Sequence, residues 1–213
     1  MAKLTKRIGK KKLVVITGIA LLILLSVVLI NRNNKAEPVT PAITHSTSTP
    51  AEVAPKKDTY KWVGASEDPK YITLPTISAE GFIQKAGIDQ NNQIAVPDNI
   101  HMAAWFNKSS QPGKPGLSII DGHVNGRVND GIFKNLTDLK NGDIYTVELG
   151  NGAIKKFKVI GSKAVPTADA VNYLFSQEPD VTSQLNLITC TGTFDPKTHS
   201  YDQRLIVSSA YIQ

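Results

Sequence analysis

Only one cysteine occurs in the 213 residues, Cys190, so no disulfide within the chain can brace the fold. That thiol is either a packed core residue or a reactive group. Charge is scarce over most of the chain as well. Residues 1–70 hold 12 Lys and Arg against 5 Asp and Glu, whereas residues 71–213 hold 12 against 13, so the net charge of +6 sits at the N-terminal end. Nucleic-acid binding draws its affinity from cations that neutralise phosphates, and a near-neutral domain argues against that role. Metal-ligand spacing is lacking too, since His45, His101 and His199 form no zinc pattern. Asp89–Gln93 opens like a calcium loop, but Ile94 stands where the glycine belongs and Ile100 where the terminal Glu belongs. No metal and no cofactor is expected.

What the N-terminal end does have is a basic cluster (Lys3, Lys6, Arg7, Lys10, Lys11, Lys12) followed by an uncharged run, Leu13–Ile30. That run is 18 residues long, and a spanning helix needs about 17 to 25. It is longer than the apolar part of a cleaved signal peptide and has no small-x-small site after it. Residues 1–12 are therefore expected to be a cytoplasmic segment, 13–30 a single membrane anchor, and all that follows extracellular. From Asn31 to Lys70 the chain turns to Pro, Thr, Ser, Ala and charge, too polar to bury a core, and is expected to be a flexible stalk.

Residues 71–213 show short apolar stretches broken by turn signals such as Pro112-Gly113 and Asn141-Gly142. Ile144–Leu149, Gly150-Asn151-Gly152 and Ala153–Ile160 read as a hairpin, because Asn-Gly supplies the positive φ of a tight turn. Further strands are expected over Gly81–Ile88, Gln93–Val96, Gly116–Gly122, Leu185–Thr191 and Arg204–Tyr211. Helical pieces are expected over Gly131–Lys140 and Thr167–Ser176. About seven or eight strands in a mostly β domain imply a closed barrel or a sandwich.

Three residues carry chemistry in this pattern. Cys190 ends the apolar run Leu185–Thr189, ahead of Thr191-Gly192-Thr193, where a sulfur at a strand end can meet a substrate. His123 ends the run Leu117–Asp121 between Gly122 and Val124, and an imidazole beside a thiol can lower its pKa and act as general acid. Arg204 opens the strand Leu205–Val207 and can donate to a developing oxyanion. Taken singly, each is more often structural: a buried thiol, a surface imidazole, or an arginine paired with Asp195 or Asp202.

Taken together, Leu187-Ile188-Thr189-Cys190, Arg204 fourteen positions on, and Gly122-His123-Val124 upstream resemble the sortase family. Its motif is a strand ending in Thr-Leu-x-Thr-Cys with a downstream Arg and an upstream His, and Asn186 stands here for the first Thr. Pro112–Gly116, Asp121–Val124, Asp130–Leu136 and Cys190–Asp195 look most like class F sortases. The resemblance runs from about Leu74 to Gln213 and implies a closed β-barrel of about eight strands with short helices. It also implies that Cys190 attacks the Thr-Gly carbonyl of a signal similar to Leu-Pro-x-Thr-Gly, that His123 protonates the leaving amine, and that Arg204 holds the oxyanion. An acceptor amine, from a cell-wall precursor or a pilin lysine, then resolves the thioacyl enzyme. By position, the Val165–Gln184 segment corresponds to the loop lining the signal groove, which makes Leu174 and Phe175, with Thr189, candidate substrate contacts. Packing of a short helix onto the barrel explains the first two equally well. Hydrolysis by water, or a non-catalytic surface binding module, are the competing functions.

Overall fold

The computed structural model describes residues 49–89 and 93–212. Eight strands are present: β1 Pro69–Leu74, β2 Ala79–Ala86, β3 Ala103–Phe106, β4 Gly116–Gly122, β5 Ile144–Leu149, β6 Ile154–Pro166, β7 Ser183–Asp195 and β8 Ser200–Tyr211. They close into a barrel in the order β1-β2-β3-β4-β7-β8-β6-β5. β2/β3 and β4/β7 are parallel, and the remaining neighbours are antiparallel. Of the two architectures left open by the strand pattern, the barrel is the one adopted. The expected membrane run, Leu13–Ile30, lies outside the described residues. No described helix is long and apolar enough to cross a membrane.

The hairpin over β5 and β6 forms as the Gly150-Asn151-Gly152 turn requires, with Gly152 at φ +83°. β6 runs on to Pro166, six residues beyond its expected end, to pair with β8. Other boundaries differ for identifiable reasons. β1 lies N-terminal to the first expected strand and takes its first two residues, Pro69 and Lys70, from the expected stalk, and β3 has only four residues, Ala103–Phe106. Gln93–Val96 contributes an isolated bridge, Ile88 to Ile94, and no full strand. The expected helix over Gly131–Lys140 is one 3₁₀ turn, Leu136–Asp138. The piece over Thr167–Ser176 is a 3₁₀ turn, Thr167–Asp169, followed by a five-residue helix α1, Ala170–Leu174. The second half of the expected stalk also makes defined contacts: Trp62 donates to Ile83 O at 2.7 Å, and Ala51 bridges Asn99.

Strand alternation divides the apolar residues between two cores. Leu185 and Leu187 of β7 point into the barrel beside Phe133, Tyr145, Phe157, Leu205 and Val207. Ile188 points outward, where Ile119, Phe106, Val165, Leu174 and Ile206 cover it. A strand buried on both faces excludes charge, so Leu185–Ile188 carries none, and its one polar residue, the buried Asn186, donates to Leu174 O at 2.8 Å. Phe133 lies against Gly122, where a Cβ would meet its ring, and plugs the barrel beneath the end of β4. Phe133→Ala is expected to cost about 3–5 kcal/mol, the range for an emptied aromatic site. Urea unfolding of the two chains measures it.

Candidate active site

The β7/β8 pairing sets Cys190 opposite Arg204, and the parallel β4/β7 pairing sets Asp121 opposite Ile188. Side chains two apart along a strand share a face. Asp121 and His123 from the β4 end, Ile188 and Cys190 from β7, and Arg204 and Ile206 from β8 therefore line one outer face of the barrel. The three residues expected to act together are brought together by these registers. Between the loop after His123 and the rim of the β7/β8 hairpin lies a cleft of about 500 Å³, floored by Cys190 and His123 and walled by Asn125, Phe194 and Tyr201.

His123 is half-buried, and its Nε2 lies 2.8 Å from Pro97 O. A carbonyl only accepts, so Nε2 carries the hydrogen, and Nδ1 is the nitrogen that takes up or releases a proton. Arg204 is 2% exposed, and its Nη1 donates to Thr167 Oγ1 at 2.9 Å, Tyr201 O at 3.0 Å and Gln203 O at 2.9 Å. Those acceptors anchor Nη1 and so hold the guanidinium beside the thiol. The ion-pair role considered for Arg204 is not the arrangement seen for the two aspartates: Asp202 accepts from Thr193 N at 2.7 Å, and Asp195 from Lys197 N at 2.8 Å.

Burial pushes the Cys190 thiol up to about 12; the Arg204 charge opposes that shift and the Asp121 charge adds to it. The resting sulfur is therefore protonated at neutral pH and needs a base to become a nucleophile. Asp121 itself is raised above the ordinary carboxylate range, by burial first, with His123 and Arg204 pulling it back. A carboxyl with a raised folded pKa favours the fold while protonated, and that contribution is lost as pH rises through the raised value. Asp121→Asn is accordingly expected to raise the melting temperature at pH 7 and to shift Cys190 alkylation to lower pH. An unchanged alkylation profile would separate Asp121 from the thiol.

The proposed substrate contacts fare differently. Thr189 points into the barrel, 2% exposed, and donates to Gly122 O at 2.7 Å, so it braces β7 against the strand that carries His123 and does not face the cleft. Leu174 is fully buried in the outer core, and Phe175 sits at its margin with its ring edge-on to Phe106 at 6.1 Å. Tyr201 was not anticipated: its hydroxyl donates to Asn125 Oδ1 at 2.8 Å, joining β8 to the loop after His123. Asp121 was also overlooked as a site residue, although a carboxylate inside the apolar run Leu117–Ile120 was a visible signal.

With this geometry in place, the family model for the sortase domain matches residues 72–211, most of the chain. The chain belongs to the sortase family. Sortases are generally cysteine transpeptidases, and the face described here is where such chemistry would sit. Among solved structures, this sortase is similar to a lid mutant of sortase A from Corynebacterium diphtheriae, with 26% identity and TM-score 0.53 over 68% of this chain and 70% of that one. It shares the fold of sortase C from Streptococcus pneumoniae, at 19% identity and TM-score 0.51 over 70% and 71% of the two chains. It likewise shares the fold of Streptococcus agalactiae sortase C1 in complex with MTSET, at 18% identity and TM-score 0.52 over 69% and 68%. Comparison with curated proteins returns no match.

Proposed function

We propose that this sortase is a membrane-anchored transpeptidase that cleaves a signal similar to Leu-Pro-x-Thr-Gly between Thr and Gly and transfers the acyl part to an amine. The register that sets Cys190 opposite Arg204, with His123 in the same cleft, is the observation that carries this reading. Cys190 gives its proton to His123 as its sulfur adds to the Thr carbonyl carbon, and the resulting oxyanion faces the Arg204 guanidinium. Collapse breaks the C–N bond, and the proton on His123 passes to the leaving glycine nitrogen. An acceptor amine then adds to the thioester and surrenders a proton to His123, from which the departing sulfur takes it back.

Leu13–Ile30 would hold the chain in the membrane with the barrel outside, within reach of exported proteins and of cell-wall or pilin amines. The class F assignment rests on the Pro112–Gly116, Asp121–Val124, Asp130–Leu136 and Cys190–Asp195 motifs. Phe175, half-buried at the edge of the outer core, is the remaining candidate for contact with the apolar part of the signal.

Mass spectrometry of the full chain incubated with a Leu-Pro-x-Thr-Gly peptide tests the reading. The expected results are an acyl adduct on the Cys190 peptide and, after addition of a glycine or lysine amine, a ligated product. Cleavage without ligation would assign hydrolysis, and an intact peptide across a panel of signals would assign a binding module.

A further inference from the structure

We propose that Glu52, upstream of the barrel, is a positioning residue for His123. Its carboxylate accepts four hydrogen bonds from the loop that follows the histidine: Arg127 N to Oε1 at 2.5 Å, and Val128 N at 3.2 Å, Asn129 N at 3.0 Å and Asn129 Nδ2 at 3.0 Å to Oε2. Those donors, Arg127 N foremost, hold its carboxyl below the ordinary glutamate range, so the clamp is ionised at neutral pH.

The backbone of the same segment is stitched to the turn on the other side of the imidazole. Ala51 N donates to Asp98 O at 2.8 Å and Ile100 N to Ala51 O at 2.9 Å, while Asn99 Nδ2 donates to Val53 O at 2.9 Å and His101 Nε2 to Glu52 O at 3.1 Å. Pro97, which accepts from His123 Nε2, immediately precedes that turn. Residues 51–53 thus lace together the two walls between which His123 sits, and Thr49 and Pro50 continue along the cleft itself. Gly126 is what lets the carboxylate approach, because a Cβ there would lie 2.5 Å from Glu52 Oε1. A displacement of about 1 Å in a catalytic group can cost on the order of 10²-fold in rate, so a clamp on this loop acts on turnover more than on binding.

The kinetic consequence rests on the transpeptidase reading above; the structural one does not. In the full chain, Glu52→Ala and Gly126→Ala break the clamp from opposite sides. Both are expected to lower kcat by about tenfold or more with KM within about twofold, and Glu52→Gln, which keeps an acceptor oxygen, to fall between them and wild type. Amide exchange at Arg127, Val128 and Asn129 should accelerate in the Ala variants, and the imidazole ¹⁵N shifts of His123 should move from the Nε2–H tautomer toward a mixture. Unchanged exchange, or faster exchange with kcat and tautomer intact, overturns the proposal. If the wild-type chain performs no transpeptidation, the transpeptidase reading fails, and the His123 tautomer alone decides this one.

Discussion

Cys190→Ala is expected to abolish both the acyl adduct and the ligated product, while leaving the melting temperature within the effect of about 1 kcal/mol typical of a point change. Only one thiol exists in the chain, so no second sulfur can substitute for it. The side chain is half-buried at the floor of the cleft and makes little of the barrel core, which is why fold and activity should separate. Because burial holds the thiol up near 12, iodoacetamide should react slowly at pH 7, with a rate that keeps climbing above about pH 10, where an ordinary thiol with a pKa of about 8.5 has levelled off. A plateau below pH 9 would show that the Arg204 charge outweighs desolvation at the sulfur.

Arg204→Ala is expected to lower kcat/KM by about 10²- to 10³-fold, the cost of deleting one oxyanion donor. Arg204→Lys should fall between, since it keeps the charge but loses the planar guanidinium whose Nη1 is anchored on Thr167, Tyr201 and Gln203. Removing a buried guanidinium leaves those acceptors without their donor, so thermal unfolding must accompany the kinetics. The two effects separate in the pH profile. Without the arginine charge the thiol pKa rises further, and alkylation should shift to still higher pH, which loss of stability alone would not produce. Activity within about threefold of wild type would make Arg204 a brace for the β7/β8 hairpin and remove it from the chemistry.

The thiol and its neighbours are legible because strands write themselves into sequence locally. Leu185, Leu187 and Ile188 supply apolar side chains to both faces, Cys190 follows that run, and a hairpin return places Arg204 opposite without long-range information. His123 was legible as a strand end, but its partner Pro97 was not, because nothing local links residues 26 apart. Glu52 gave no signal at all: its partners are mostly backbone N–H groups some 75 positions away, and any sequence supplies those. The same holds for residues 50–70, rich in Pro and Lys, which look unable to order themselves by sequence alone and find partners in the distant Asn99 and Ile83. Gly131–Lys140 misled in the opposite direction. Its apolar residues, Ile132, Phe133, Leu136 and Leu139, are spaced as on a helix, yet they all enter the barrel core from a loop with a single 3₁₀ turn.

The desolvated sulfur has a consequence beyond turnover. Thiolates are the species that attack peroxides and disulfides, so a thiol kept protonated by its surroundings reacts slowly with both. In oxidising surroundings this chain would have neither a resolving cysteine to rescue a sulfenic acid nor a second thiol to share the damage. Burial beside Asp121 would then keep the chain's single thiol in reduced form for long periods.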